Sequence, residues 1–186
     1  MTERRLNATA ASLLGFLHER PMSGYELAAM AAAVIGDFWT LTQSQVYREL
    51  AWMADDGLVT AGERGSRDRR PFAITDAGRE AFTRWVVLPP GGETIRHPLL
   101  LTLSFGRHVP PDRLAAFLRR HRDAHVERLR AYELDEREAA RAEAPPDPFR
   151  MATLAFGLTY ERATLAWFDA LPDSLTGADE DRPPDA

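Results

Sequence analysis

The amino-acid sequence predicts a mainly helical fold with one small β-hairpin, divided into an N-terminal and a C-terminal domain. Two capping-box patterns, S-x-x-E from Ser23 and T-x-x-Q from Thr42, mark helix starts in the first half. Short stretches rich in β-forming residues flank a basic loop at residues 62–70, as in a hairpin. The second half consists of long segments with apolar residues at helical spacing, so all β-structure is expected in the first domain.

Three helices are predicted before the hairpin. Residues 7–19 carry apolar side chains at helical spacing, and Pro21 ends that segment. A second helix begins at Ser23, because its capping box satisfies the free amides of a first turn. A third begins at Thr42 and ends before Gly57, which stands where a C-cap glycine belongs.

The hairpin and a fourth helix follow directly. Residues 58–63 and 71–75 are predicted strands, and Pro71 favours an edge position or the start of a strand. Thr75 is the expected N-cap of the fourth helix. Gly78 lies inside that helix and is locally unfavourable there.

A Pro/Gly-rich stretch, LPPGGE, predicts the domain boundary. We expect a first domain at residues 1–88, a linker at 89–93 and a second, helical domain at 94–172. Residues 173–186 are acidic and have little to bury, so a disordered tail is predicted there. In the second domain, we expect helices at 97–106, 112–143 and 149–171.

Composition limits the class of protein. The 186 residues are 45% hydrophobic and 27% charged, which is ordinary for a soluble globular chain. Charged residues or proline interrupt the longest apolar stretches, and no secretory signal is evident, so a cytoplasmic location without membrane contact is expected. The absence of cysteine excludes disulfides and thiol-ligated metals, and no cofactor is predicted.

The order of elements in the first ninety residues is that of a winged helix-turn-helix. The third helix would enter the major groove of DNA with its first turn. At about 100° per residue, Val46, Leu50 and Met53 share one side, whereas Ser44 and Arg48 face the opposite way. An ordinary solvated helix surface is the alternative interpretation.

The polar residues of this helix are the candidate DNA contacts. Glutamine can pair with adenine and arginine with guanine, and a tyrosine hydroxyl suits a phosphate. The predicted contacts are Gln43, Ser44, Gln45, Tyr47 and Arg48.

The loop GERGSRDRRPFAIT gathers arginines although the chain has a net charge of -5. A wing tip lies over the phosphate backbone, where arginines neutralise phosphates and release counterions. A solvated tip, partly neutralised by Glu63 and Asp68, is the alternative. The predicted phosphate contacts are Arg64, Arg67, Arg69 and Arg70.

The sequence resembles the PadR family of transcriptional regulators at residues 13–27, 41–59 and 66–82, in the family's order and spacing. The resemblance implies a homodimeric, sequence-specific regulator, a repressor, that binds a pseudo-palindromic operator. Many members have proline after the recognition-helix tyrosine where this chain has Arg48, so no known operator sequence can be transferred. The resemblance also suggests Tyr25 as a backbone contact, with a core-edge aromatic residue as the alternative.

The second half is predicted to form the dimer and resembles the virulence-activator type of C-terminal domain. The long helix has an amphipathic stripe suited to a partner helix, and the last helix is apolar on much of its circumference. The predicted interface residues are Leu114, Leu118, His121, His125, Leu129, Tyr132, Leu158 and Leu165.

Two smaller features remain open. His121 and His125 have the spacing of metal ligands, but no third ligand is evident, so a packed histidine pair that makes dimerisation pH-sensitive is preferred over a metal site. Trp85, Trp167 and Phe168 either line a pocket for a small-molecule effector or are ordinary core residues.

The sequence also bears on two other functional classes. A helical protein-interaction module whose winged domain binds protein instead of DNA is the main alternative. An enzyme is not expected, because the sequence offers no phosphate-binding glycine loop, metal triad or Ser/His/Asp grouping.

Overall fold

The computed structural model describes residues 5–36, 38–63, 70–92 and 95–176. The chain forms two compact units, Met1–Gly92 and Glu93–Ala186. Within the described ranges, no helix has both the length and the apolar character needed to cross a membrane.

The first unit combines four helices with three short strands. Its helices are α1 (Ala8–Leu17), α2 (Gly24–Val34), α3 (Gln43–Asp55) and α4 (Asp76–Val86). Its strands are β1 (Met22–Ser23), β2 (Val59–Ala61) and β3 (Pro71–Ile74).

The strands form an antiparallel sheet in the order β1-β3-β2. The hairpin of β2 and β3 was predicted, but β1 was not, because two residues carry no alternation pattern. Pro71 begins β3, as expected, yet β3 is the central strand rather than an edge. This position is tolerated because Pro71 uses its carbonyl, which accepts from the Gly62 amide at 2.8 Å.

The predicted helix starts are confirmed. Ser23 and Thr42 are N-caps with reciprocal capping boxes, and Thr75 Oγ1 accepts from the Gly78 amide at 3.1 Å. Gly57 follows the C-cap of α3 with φ +71°, a left-handed conformation that favours glycine. These local signals therefore fix the starts of α2, α3 and α4 and the end of α3.

Gly78 has a packing role that its helix propensity does not indicate. A Cβ at this position would lie 2.1 Å from the carbonyl oxygen of Leu58. The absent side chain lets α4 approach the backbone that leads into β2. Glycine lowers the intrinsic stability of α4, but it allows close packing between α4 and the backbone before β2.

A single apolar core holds the first unit together. Its members come from α1, α2, α3 and the three strands, so every element up to β3 contributes. The buried residues are Ala10, Leu13, Leu14, Leu17, Met22, Leu27, Val46, Leu50, Met53, Leu58, Val59 and Phe72.

The second unit is built around a long helix pair. It comprises α5 (Pro98–Ser104), a 3-10 turn (Gly106–His108), α6 (Pro111–Arg141), α7 (Pro148–Asp169) and α8 (Asp173–Thr176). Helices α6 and α7 pack along each other, and Gly157 makes room for the ring of Tyr132, which would lie 2.8 Å from a Cβ there.

The prediction placed the start of the disordered tail too early in the chain. Asp173–Thr176 form α8, whose Leu175 packs against the apolar cluster of Leu114, Leu118 and Phe168. Arg119 also donates to the Thr176 carbonyl at 3.3 Å. Residues 177–186, the rest of the predicted tail, lie outside the described residues.

Candidate nucleic-acid interface

Helix α3 presents one face of its first two turns to solvent. Gln43, Ser44 and Arg48 are exposed, whereas the opposite face is anchored by fully buried Val46 and Leu50. The helical spacing predicted this orientation correctly. Because the anchor is apolar and enclosed, the polar face is held outward rather than free to rotate.

Gln45 has a structural task that competes with base reading. Its Oε1 accepts from the Thr42 amide at 2.8 Å and from Thr42 Oγ1 at 2.9 Å. Thr42 Oγ1 also lies 3.1 Å from Ser44 Oγ. Bidentate pairing with adenine needs the carbonyl as well as the amino group, so it would require breaking this cap.

Arg48 emerges beside a buried carboxylate that sequence reasoning missed. Its Nε lies 3.7 Å from Glu49 Oε1, and the Arg48 side chain is 66% exposed against 3% for Glu49. Asn7 Nδ2 donates to Glu49 Oε2 at 3.2 Å, which links the start of α1 to α3. The inward position of Glu49 could be read from its spacing, three residues after Val46, but its hydrogen-bond partner on α1 could not.

Two tyrosines lie at the start of α2. The ring of Tyr47 packs over Gly24, where a Cβ would lie 2.6 Å from Tyr47 Cε1. Tyr25 follows Gly24 directly and is 57% exposed, against 46% for Tyr47. The structure therefore brings the predicted contact Tyr47 to the N-terminal end of the helix that carries Tyr25.

The hairpin contributes one described arginine. Arg70 Nε donates to the Gly62 carbonyl at 3.1 Å, across the base of the hairpin, and the side chain is exposed. Arg64, Arg67 and Arg69 lie outside the described residues.

The predicted dimer residues divide into two groups. Leu114, Leu118 and Leu158 are at most 5% exposed and pack inside the protomer. The half-buried members have surface to offer a partner. They are His121, His125, Leu129, Tyr132 and Leu165. The interface role of the half-buried group stays a prediction. The buried group is occupied by packing within the protomer.

The three predicted effector-pocket aromatics belong to different units. Trp85 lines a groove in the first unit together with Trp52. Trp167 and Phe168 line a separate groove in the second unit, with ring centroids 4.7 Å apart. For the described residues, no cluster of three or more His, Cys, Asp or Glu side chains suits a metal ion, and this includes His121 and His125.

The three-stranded sheet, the α2–α3 pair and the outward face of α3 define a winged helix-turn-helix protein. The model of the PadR-like family of transcriptional regulators matches residues 13–84, and that of the virulence activator alpha C-terminal domain matches residues 95–175. The first unit is therefore similar to the PadR-like family, and the second unit is similar to the virulence activator alpha C-terminal domain.

Curated relatives match part of the chain. A probable transcriptional regulator of Mycobacterium tuberculosis is 40% identical over 81 residues, which is 42% of this chain and 43% of the relative. The negative transcriptional regulator PadR of Bacillus subtilis is 28% identical over 98 residues, 50% of this chain and 54% of the relative. The chain thus spans about half the length of the curated relatives it matches.

Solved structures match almost end to end. Bacillus subtilis PadR in complex with operator DNA gives a TM-score of 0.70 at 21% identity, covering 88% of this chain and 96% of that one. The same protein with p-coumaric acid gives 0.64 at 21% identity, covering 95% and 99%. The Vibrio cholerae virulence activator AphA gives 0.63 at 26% identity, covering 93% and 99%.

Proposed function

We propose that this chain is a sequence-specific DNA-binding transcriptional regulator that acts as a repressor in the cytoplasm. One observation carries the proposal: the first two turns of α3 hold Gln43, Ser44 and Arg48 outward on a helix whose other face is fully buried. Such a helix fits the major groove, where its N-terminal residues meet base edges.

The exposed residues of α3 divide into base-reading and backbone-contacting groups. Arg48 reads guanine, because its exposed guanidinium can bond both acceptors of that base. Gln43 and Ser44 contact neighbouring base edges. Tyr25 and Tyr47 give their hydroxyls to phosphates, which positions the helix without reading sequence. Gln45 serves mainly as the cap of α3.

The hairpin arginines bind the sugar-phosphate backbone. Arg70 places an exposed positive charge at the base of the hairpin. The sequence adds three more arginines at the tip. Each phosphate neutralised releases condensed counterions, so binding weakens as salt rises.

A homodimer would present two such surfaces to a pseudo-palindromic operator. The second unit offers Phe149 and Phe156 on α7, which are 81% and 65% exposed, besides the half-buried stripe of α6. Burying these apolar rings against a second copy stabilises a dimer. Two recognition helices then match half-sites about 34 Å apart.

Mobility-shift measurements on the DNA upstream of its own gene test this function, followed by selection of bound genomic fragments. Arg48→Ala should change which fragments are selected. Arg70→Ala should weaken binding to every fragment and reduce the salt slope by about one. Arg130→Ala, an exposed arginine of the second unit, serves as the control. Indistinguishable effects of Arg48→Ala and Arg70→Ala on all sequences would reject the assigned roles.

A protein-interaction module is the second candidate, and one observation favours it. Val34 at the end of α2 and Phe38 and Trp39 in the turn that follows are exposed by 55%, 58% and 44%. Exposed aromatic residues are common at protein interfaces. Failure to bind any genomic fragment by a folded, dimeric protein would favour this candidate.

A further inference from the structure

Glu49 follows Arg48 on α3 but faces the interior of the first unit. The Glu49 side chain is 3% exposed, against 66% for Arg48, and Glu49 Oε1 lies 3.7 Å from Arg48 Nε. A glutamate is almost never buried to this degree unless partners compensate its charge. A buried carboxylate therefore lies directly beside the side chain that we assign to base reading.

Asn7 fixes the position of this carboxylate from the start of α1. Asn7 Oδ1 accepts from the Ala10 amide at 2.9 Å as the N-cap of α1, so the side-chain amide has one defined orientation. Its Nδ2 then donates to Glu49 Oε2 at 3.2 Å. Helix α1 is itself anchored by Leu13 and Leu14, which are fully buried. The position of Glu49 is thus determined by the core of the first unit, through the cap of α1.

Glu49 is close to one particular edge of the Arg48 guanidinium. An arginine can offer two parallel N–H donors from its side, with Nε and one terminal nitrogen, or from its end, with both terminal nitrogens. Because Nε lies beside Glu49, the side edge is turned toward the protein. The end of this exposed side chain is then the edge that faces the two acceptors of guanine.

Orientation of Arg48 affects sequence preference more than overall affinity. A long side chain loses rotamer freedom when it binds, and a side chain that is already oriented loses less. A guanidinium that can turn freely also bonds to phosphates, which carry no sequence information. Holding the end edge toward the bases therefore favours guanine over binding to any sequence.

We propose that Glu49 is a positioning residue, which orients Arg48 toward guanine without contacting DNA, and that Asn7 holds Glu49 for this task. The inference rests on the proposed function, because it requires α3 to lie in the major groove. Preference at one base pair is then set by three residues, of which only Arg48 contacts the base.

Competition binding with a selected genomic fragment tests the inference. Each G·C pair of the fragment is replaced in turn by A·T, and Arg48→Ala identifies the pair at which replacement no longer matters. Glu49→Gln removes the charge but keeps an oxygen that can accept from Asn7. It should reduce the preference for guanine at that pair by about three- to fivefold, since an ion pair with an exposed arginine is weak.

Two further readouts separate positioning from support of the fold. Affinity of Glu49→Gln for unrelated duplex should be unchanged or slightly higher, because one negative charge near the phosphates is lost. In the Arg48→Ala background, Glu49→Gln should cause no further loss of base preference, since the residue through which it acts is absent. Glu80→Gln, an exposed carboxylate of α4, should leave base preference unchanged.

Asn7→Ser provides a second variant in case Glu49→Gln does not fold. Serine is as good an N-cap as asparagine, so α1 keeps its start, but the amide that reaches Glu49 is removed. We expect the same base preference to fall by about twofold, because Glu49 is held less firmly rather than lost.

A measurement without DNA tests the contact itself. In the free protein, the Arg48 Nε–H should exchange with water about threefold faster in Glu49→Gln than in the unaltered chain, by nitrogen-15 NMR of the arginine side chains. Equal exchange, unchanged base preference in a folded Glu49→Gln, or an equal loss at every base pair would overturn the inference and leave the proposed function intact. Failure of the unaltered chain to bind any DNA would instead overturn both.

Discussion

Helices α2 and α3 begin with the same reciprocal cap but close it with different chemistry. In α2, the Ser23 amide donates to Glu26 Oε2 at 2.8 Å, so a carboxylate completes the cap. In α3, the Thr42 amide donates to Gln45 Oε1, also at 2.8 Å, so a neutral amide has that role. The hydrogen-bond geometry is equivalent, and only the charge differs.

The difference in charge between the two caps matches the surroundings that we expect for each helix start. The hydrogen bonds from the Ser23 amide and hydroxyl, aided by Arg20, lower the pKa of Glu26 from 4.5 to about 2, so the carboxylate is ionised at neutral pH. A negative charge there suits the helix dipole. At α3, the same charge would repel the phosphates of a bound duplex. The neutral cap therefore gives up some helix stability where a nucleic acid is expected to approach.

Gly24→Ala tests the packing between the two helix starts, because Gly24 begins α2 and lies under the Tyr47 ring of α3. The added Cβ would lie 2.6 Å from that ring, so the ring must move. Because the ring is 46% exposed and can turn aside, we expect a loss of about 1 kcal/mol in the free energy of unfolding, the low end for overpacked sites. Urea denaturation measures it, with Gly91→Ala, where a Cβ meets nothing within 4 Å, as the control. Equal midpoints for the two variants would contradict the close contact.

Removal of the cap hydroxyls compares the two boxes directly. Ser23→Ala and Thr42→Ala should each lower the free energy of unfolding by about 1 kcal/mol, as is usual for N-caps. The loss should be greater for Ser23→Ala, since its hydroxyl also donates to an ionised carboxylate at 2.8 Å. The midpoints of urea denaturation show which variant loses more stability. A larger loss for Thr42→Ala would show that charge does not strengthen the cap of α2.

Gln45→Glu converts the neutral box into the charged one. The added carboxylate should stabilise the protein by about 0.3–1 kcal/mol through the helix dipole. It should also weaken DNA binding about three- to tenfold at low salt, with a smaller loss at high salt, where charges are screened. Thr153→Glu places the same charge on an exposed site of α7 and should leave DNA affinity unchanged. Unaltered DNA binding by Gln45→Glu would contradict the placement of α3 on DNA.

Glu26→Gln makes the opposite change and should have the smallest effect. Because the folded pKa of Glu26 is about 2 against 4.5 for the free group, its ionised form stabilises the fold fully above pH 4.5. That contribution is lost as pH falls from 4.5 toward 2. The difference in melting temperature between the protein and Glu26→Gln should therefore shrink across this window. Glu80→Gln, which removes one exposed partner of Arg84, should show little change by comparison.

Local sequence signals were sufficient for most of the first unit. Capping boxes, apolar spacing and a C-cap glycine act within a few residues, so the starts of α2, α3 and α4 and the inward face of α3 could be read directly. Strand β1 was not predictable in this way, because Met22 and Ser23 become a strand only by pairing with β3.

Features that depend on contacts between distant residues were the ones missed. Glu49 is buried because Asn7, 42 positions away, supplies a hydrogen bond. Residues 173–176 are helical because Leu175 finds an apolar cluster and Arg119 binds the last carbonyl. The stripe of α6 was correctly seen as apolar, but its pattern does not distinguish packing inside the protomer from packing against a copy.

The close packing of α4 against the backbone just before β2 has a consequence for mutational scanning. With a carbonyl oxygen 2.1 Å from where a methyl group would be, position 78 accepts only hydrogen without displacing the helix. Any other residue there should lower the folded fraction, and operator occupancy would decline with it. A screen that scores promoter activity alone would then list Gly78 beside true recognition residues, and abundance measured in the same cells would separate the two kinds of position.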